Sequence, residues 1–176
     1  SPVLSKEEKE AVLSCVAEAA AKRVPIVYGV GGNNTTAIAA SLKSLNPAIV
    51  DGILSVSPYY NKPTQEGIYQ HYKVLAESTS LPIILYNVPG RTASNMLPDC
   101  TLRLARDFKN IVGVKEASGN MEQIMDIINR KPAGFLVISG DDGITLPILA
   151  AGGDGVISVI GNAFPHIFSD MVQKAL

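Results

Sequence analysis

Tyr86 and Lys115 each close a short apolar run, and the pair has the makings of carbonyl chemistry. The runs are Leu81-Pro-Ile-Ile-Leu-Tyr-Asn-Val-Pro-Gly-Arg91 and Ile111-Val-Gly-Val-Lys-Glu116. An ammonium inside a buried strand is costly, so burial lowers a lysine's pKa and favours the neutral amine. A neutral, positioned amine beside a phenol is what a Schiff-base enzyme needs to attack a carbonyl carbon and move protons. Side chains alternate along a strand, so Ile111, Gly113 and Lys115 share a face, and Gly113 is expected to leave space below the lysine. Tyr86 follows Ile84 in the same way, and adjacent parallel strands would set phenol and amine in one layer. Arg91, just past Pro89-Gly90, offers the planar fork that holds a carboxylate through two hydrogen bonds. Taken singly, each has a plainer reading: a solvated lysine, a core tyrosine, an exposed loop arginine.

Other polar segments carry weaker signals. Ser57-Pro-Tyr-Tyr-Asn-Lys-Pro63 sets Tyr59 and Tyr60 in a turn, where large aromatics either pack locally or meet another subunit. Gly29-Val-Gly-Gly-Asn-Asn34 resembles a phosphate loop, but Asn34 stands where a third glycine belongs and no Walker lysine follows. Gly152-Gly-Asp-Gly155 is better explained by a tight turn. His71 and His166 lack metal-site spacing, and Asp141-Asp142 reads as a helix cap before it reads as a cation site, so no metal is expected.

The elements that must position these residues alternate. Strands are expected at Pro25–Val30, Ile53–Ser57, Pro82–Asn87, Ile111–Lys115, Phe135–Ser139 and Gly155–Val159. Helices are expected at Lys6–Lys22, Thr35–Leu45, Gln65–Ser78, Pro98–Asp107, Met121–Asn129 and Ile144–Ala150, with a last one from near Phe164. Ser5-Lys-Glu-Glu8 is a capping box and fixes the first helix start. Continuous apolar strands imply a parallel sheet covered on both faces. An open doubly wound sheet and part of a (β/α)8 barrel both fit, and in both, functional residues gather at the carboxyl ends of strands. The polar residues lie there: Gly31 to Asn34, Tyr59 to Asn61, Tyr86-Asn87, Lys115-Glu116 and Gly140 to Asp142.

The 176 residues, 47% hydrophobic and 18% charged, suit one globular domain with a sizeable core, residues 1–176. A net charge of −1 gives no electrostatic reason to expect nucleic acid or an anionic membrane. No apolar run approaches the ~20 residues of a membrane span, and no signal peptide is evident. Two distant cysteines, Cys15 and Cys100, argue against a disulfide framework, and the balance favours the cytoplasm.

With these residues assembled, the chain resembles the 4-hydroxy-tetrahydrodipicolinate synthase (dihydrodipicolinate synthase) family of the N-acetylneuraminate lyase superfamily. The resemblance rests on Val56-Ser-Pro-Tyr-Tyr-Asn61, Tyr86-Asn-Val-Pro-Gly-Arg-Thr92, Gly113-Val-Lys-Glu-Ala-Ser118, Ser139-Gly-Asp-Asp142 and Gly155-Val-Ile-Ser158. It implies a (β/α)8 TIM barrel, truncated here to about six strands, with the first two strands and a C-terminal helical extension outside the chain. The family's Gly-Thr-Thr-Gly-Glu-Ser signature would end at Ser1. Unpaired sheet edges in such a remnant would favour instability or association.

By the resemblance, Lys115 condenses with pyruvate without any cofactor, and Tyr86 shuttles protons. Tyr60 reaches across a dimer interface into the neighbouring site, in a dimer of dimers built through Tyr59 and Tyr60. Arg91 orients the carboxylate of aspartate 4-semialdehyde; Gly140 lies near that substrate, and Ile157 offers its backbone carbonyl beside the lysine. Sialic-acid lyases generally lack the arginine, so Arg91 favours the lysine and diaminopimelate branch over sibling pyruvate aldolases. A non-catalytic phosphate-binding module is the remaining alternative. Positions that line the lysine-feedback pocket of regulated relatives fall on Lys6, Lys9 and Ala37, which implies weak or absent inhibition by lysine.

Overall fold

The computed structural model describes residues 3–176; Ser1, and with it the expected end of the family signature, lies outside the described residues. Helix α1 (Lys6–Ala20) starts where the capping box requires, Ser5 accepting from the Glu8 N–H at 3.2 Å and donating its own N–H to the Glu8 carboxylate at 2.7 Å. It ends two residues earlier than expected, because Ala21 and Lys22 take left-handed φ of 48° and 58°. Strand β1 (Val27–Gly29), α2 (Thr35–Lys43), β2 (Gly52–Val56), α3 (Gln65–Glu77) and β3 (Ile83–Asn87) follow. A short α4 (Pro89–Thr92), not expected from the sequence, then precedes α5 (Pro98–Asp107), β4 (Ile111–Glu116), α6 (Met121–Arg130) and β5 (Leu136–Ser139). The chain closes with α7 (Thr145–Ala150), β6 (Gly155–Val156) and α8 (Pro165–Ala175). Side-chain caps at Asn34, Thr64 and Asn120 open α2, α3 and α6.

The strands form one six-stranded parallel sheet in sequential order, β1-β2-β3-β4-β5-β6. A doubly wound sheet reverses direction at a switch point and places helices on both faces. Sequential order with right-handed crossovers keeps every helix on one face, the barrel arrangement. The helix-facing side carries the core: Ile53, Ile83, Leu85, Val114 and Val137 are fully buried, packed with Ile68, Tyr72, Leu102, Ile124 and Ile148. Burying each such side chain stabilises the fold by roughly 1.5–3 kcal/mol.

Coverage of both faces, expected from the apolar strands, is corrected by the structure. On the opposite face Val27 is 42% and Leu136 is 38% exposed, because the described sheet is open and β1 forms no ladder with β6. That face is the concave side of the barrel wall. The last strand is shorter than the expected Gly155–Val159, because residues after Ile157 turn away into a short helical turn at Ile160–Asn162. No helix among the described residues is long and apolar enough to cross a membrane.

Gly113 serves a purpose other than the expected one. A Cβ there would stand 2.8 Å from the Leu136 carbonyl oxygen and 2.9 Å from its Cβ, so the glycine allows β5 to approach β4. Gly113→Ala should therefore part the two central strands and lower stability by about 1–3 kcal/mol. Equilibrium urea unfolding measures this, and an unchanged midpoint would contradict it.

Candidate active site

The β3–β4 ladder puts Tyr86 directly opposite Lys115. Both face the concave side, and the Lys115 Nζ lies 4.4 Å from the centre of the Tyr86 ring. Lys115 is 8% exposed, and burial lowers its pKa against the opposing pull of the Asp142 carboxylate. Burial likewise raises the Tyr86 hydroxyl, while the Arg91 guanidinium draws it down. An amine shifted toward its neutral form thus sits against a phenol that holds its proton.

The room for Lys115 comes from Gly140. A Cβ at that position would lie 3.0 Å from the lysine Cε, 3.1 Å from its Cγ and 2.8 Å from the Ala117 Cβ. Gly140 is held there by its N–H, which donates to the Glu116 carbonyl at 2.8 Å. Similar bonds extend the sheet beyond its formal ends: Ser57 N–H to Tyr86 O, Ala117 N–H to Asn87 O, and Ile157 N–H to Ser139 O, at 2.9–3.0 Å. The rim that carries the polar residues is therefore backbone-locked across five strands.

Arg91 lies on α4, whose first residue is Pro89 and whose end is Ala93 in a left-handed conformation with φ of 56°. The side chain is exposed, aimed from a single rigid turn. Tyr60 is 86% exposed, with Tyr59 at 41%. Its φ of +72° and the Asn61 N–H donating to the Tyr59 carbonyl at 2.9 Å define a γ-turn, a strained conformation for a tyrosine. Ile157 is partly buried at the end of β6. Lys6 is exposed and pairs loosely with Glu10 at 3.8 Å, and Ala37 is exposed in the first turn of α2.

The glycine loop after β1 is accounted for by packing and capping. A Cβ on Gly31 would collide with Val56, and the Asn34 side chain accepts from the Ala37 N–H at 3.1 Å.

Two acidic residues expected among the polar groups at the strand ends, Glu116 and Asp142, make contacts beyond those expected from the sequence. Glu116 follows Lys115, so its side chain enters the opposite, helix-covered face, where it is fully buried. It accepts from Asn87 Nδ2 at 3.1 Å on both oxygens, from the Ser118 N–H at 2.8 Å and from Gln123 Nε2 at 3.1 Å. Asn87 in turn accepts from the Met96 N–H at 3.0 Å, and Asn95 and Gln65 tie the 93–97 loop to α6 and α3. The signal was available: a residue next to an inward lysine on a strand buried behind must face the helices. Asp142 is the second. Asp141 caps the following turn, accepting from the Gly143 N–H at 3.0 Å, whereas Asp142 reaches away to the Val159 and Ile160 N–H groups.

A parallel, sequentially ordered wall with a buried lysine at a strand end, a phenol against it and an arginine on the rim defines a class of fold, the (β/α) barrel with polar residues gathered at the carboxyl ends of its strands. The whole chain, residues 1–176, matches the dihydrodipicolinate synthetase family, and the chain belongs to it. It is 60% identical over 176 residues to the 4-hydroxy-tetrahydrodipicolinate synthase of Parabacteroides distasonis, covering 100% of this chain and 59% of that protein. The corresponding figures for the synthase of Flavobacterium psychrophilum are 58%, 100% and 60%. The crystal structure of the chloride-inhibited dihydrodipicolinate synthase from Acinetobacter baumannii complexed with pyruvate superposes with a TM-score of 0.94 at 42% identity, over 99% of this chain and 60% of that one. The chain thus spans about 60% of the length of its curated relatives and holds six strands of a (β/α)8 barrel.

Burial raises the Glu116 pKa above its usual 4.5 despite the donors that favour the charge. The folded state therefore holds this proton more tightly than the unfolded chain does. Its contribution to stability is fullest in acid and declines as pH rises through 4.5 to the raised value. Glu116→Gln should flatten that decline in pH-dependent unfolding. Glu116→Ala, which strands three donors, should cost about 3–5 kcal/mol.

Proposed function

We propose that residues 1–176 are a partial (β/α)8 catalytic domain that condenses pyruvate with L-aspartate 4-semialdehyde, giving 4-hydroxy-tetrahydrodipicolinate for lysine and diaminopimelate synthesis. The observation that carries this reading is the Lys115 amine, buried and 4.4 Å from the Tyr86 ring, in a chain of this family. The neutral amine attacks the pyruvate ketone, and the carbinolamine loses water to give an imine. Tyr86 passes the protons this requires. Loss of a methyl proton gives the enamine, whose carbon adds to the aldehyde of the semialdehyde held by Arg91. The substrate's own amine then attacks the imine carbon, closes the ring and releases Lys115. The protein itself supplies the electron sink, so no cofactor is invoked.

Tyr60 enters this reading as the residue lent to a second copy of the chain. Its exposure and strained backbone support that role, since strain persists where a side chain must be presented. Assembly as a dimer of dimers through Tyr59 and Tyr60, and a cytoplasmic setting without nucleic-acid or membrane partners, complete the proposal. Gly140 and Ile157 form the wall beside the lysine.

Incubation with pyruvate and borohydride, followed by peptide mapping, tests the assignment. A pyruvate-derived adduct is expected on Lys115 and is expected to vanish in Lys115→Ala; an adduct persisting elsewhere refutes the role. Arg91→Ala should raise the KM for the semialdehyde by about 10- to 100-fold while pyruvate trapping stays within a few-fold. Lys6, Lys9 and Ala37 offer a ligand's ammonium no carboxylate, so the full-length enzyme should resist lysine. Inhibition at sub-millimolar lysine would contradict that.

A further inference from the structure

Asp142 joins two parts of the rim that the sheet leaves separate. It sits in the short helical turn Asp142–Ile144, two residues beyond Gly140, whose backbone rests against the Lys115 side chain. Its carboxylate accepts from the Ile160 N–H at 2.8 Å and from the Val159 N–H at 3.1 and 3.3 Å. Those amides follow Ile157, whose own N–H is held by Ser139 at 3.0 Å. The segment from Ile157 to Ile160 is therefore pinned at both ends, by the last rung of the sheet and by Asp142. This explains why β6 stops short: the chain exchanges ladder partners for a side-chain clasp.

The same carboxylate bears on the lysine. The Lys115 Nζ stands over the Tyr86 ring from β3, and the Asp142 charge beyond β5 acts on it through the Coulomb field; Glu116 is turned to the other face, Arg91 acts on Tyr86, and Asp141 is committed to the Gly143 N–H. Burial pushes Asp142 upward, but the Ser158 hydroxyl, the Ile160 and Val159 amides and the Lys115 charge outweigh it, so the group holds its charge.

We propose that Asp142 is a positioning residue, which clasps the Ile157–Ile160 segment beside the reactive lysine and sets the electrostatic field in which that amine works. This rests on the Schiff-base reading of Lys115 for its catalytic meaning, though not for its physical content. The carboxylate favours the ammonium form, and burial favours the amine. Removing the charge while keeping the clasp therefore makes the lysine more neutral at a given pH. The expected change runs opposite to that of simple damage.

The test uses Asp142→Asn and Asp142→Ala in the full-length protein. Competitive acetylation of Lys115 against pH, read by mass spectrometry, follows the amine without any need for turnover. In Asp142→Asn the labelling curve and the acidic limb of pyruvate trapping should both move to lower pH by about 0.3 unit or more. Amide hydrogen exchange at Val159 and Ile160 should rise about 10-fold or more in Asp142→Ala and less in Asp142→Asn, which keeps an acceptor oxygen. An unmoved labelling curve overturns the electrostatic half, and unchanged exchange overturns the clasp. If the parent protein forms no adduct on Lys115, the Schiff-base reading fails, and the labelling curve and exchange still decide for or against Asp142.

Discussion

Asn87 donates to Glu116 across the β3–β4 ladder, on the face turned away from the concave side. One residue earlier on each strand, on the other face, stand Tyr86 and Lys115. A slip of either strand by one residue would turn its side chains to the wrong face, exposing the buried carboxylate's donors and burying the lysine among aliphatic groups. The cost of leaving those buried donors unpaired makes that slip prohibitive. The distance between amine and phenol is thus enforced from behind, by groups on the helix-covered face. Because Asn87 also holds the Met96 amide, the same contact steadies the loop that follows Arg91.

Much of this was legible in the sequence because buried parallel strands are hard to disguise. The runs Pro82–Asn87 and Ile111–Lys115 coincide with β3 and β4 to within a residue, since apolar continuity marks them from end to end. Residue types also pointed to the pairing of Tyr86 with Lys115, which the register then delivers. Boundaries set by single backbone conformations were less readable. The αL residues Ala21 and Lys22 end α1 without a glycine, and α4 is a four-residue turn too short to show periodicity.

Two features around Lys115 depart from the sequence expectation for a common reason. Gly113 shares a face with Lys115, and one-strand reasoning assigned it to the lysine. Its neighbour in space is Leu136, on the next strand, while the space for the lysine is left by Gly140, 25 positions along. Asp142 was read with Asp141 as a cap because the two are adjacent, yet only Asp141 caps locally and Asp142 acts on Val159 and Ile160. Contacts between successive βα units are invisible to a reading confined to one unit.

The sequential strand order has a consequence for how such a wall comes into being. Among the described residues every ladder joins a strand to the next one in the chain. Contact order stays modest for a parallel sheet, and loop closure is paid in small, similar instalments. Assembly can then proceed as the polypeptide emerges, each βα unit docking on an edge already formed. The amine of Lys115 and the phenol of Tyr86 are joined by the β3–β4 ladder, between strands consecutive in the chain. The contact of Tyr86 with Lys115 thus needs only two consecutive strands, and the rim of β5 and β6 is built onto it.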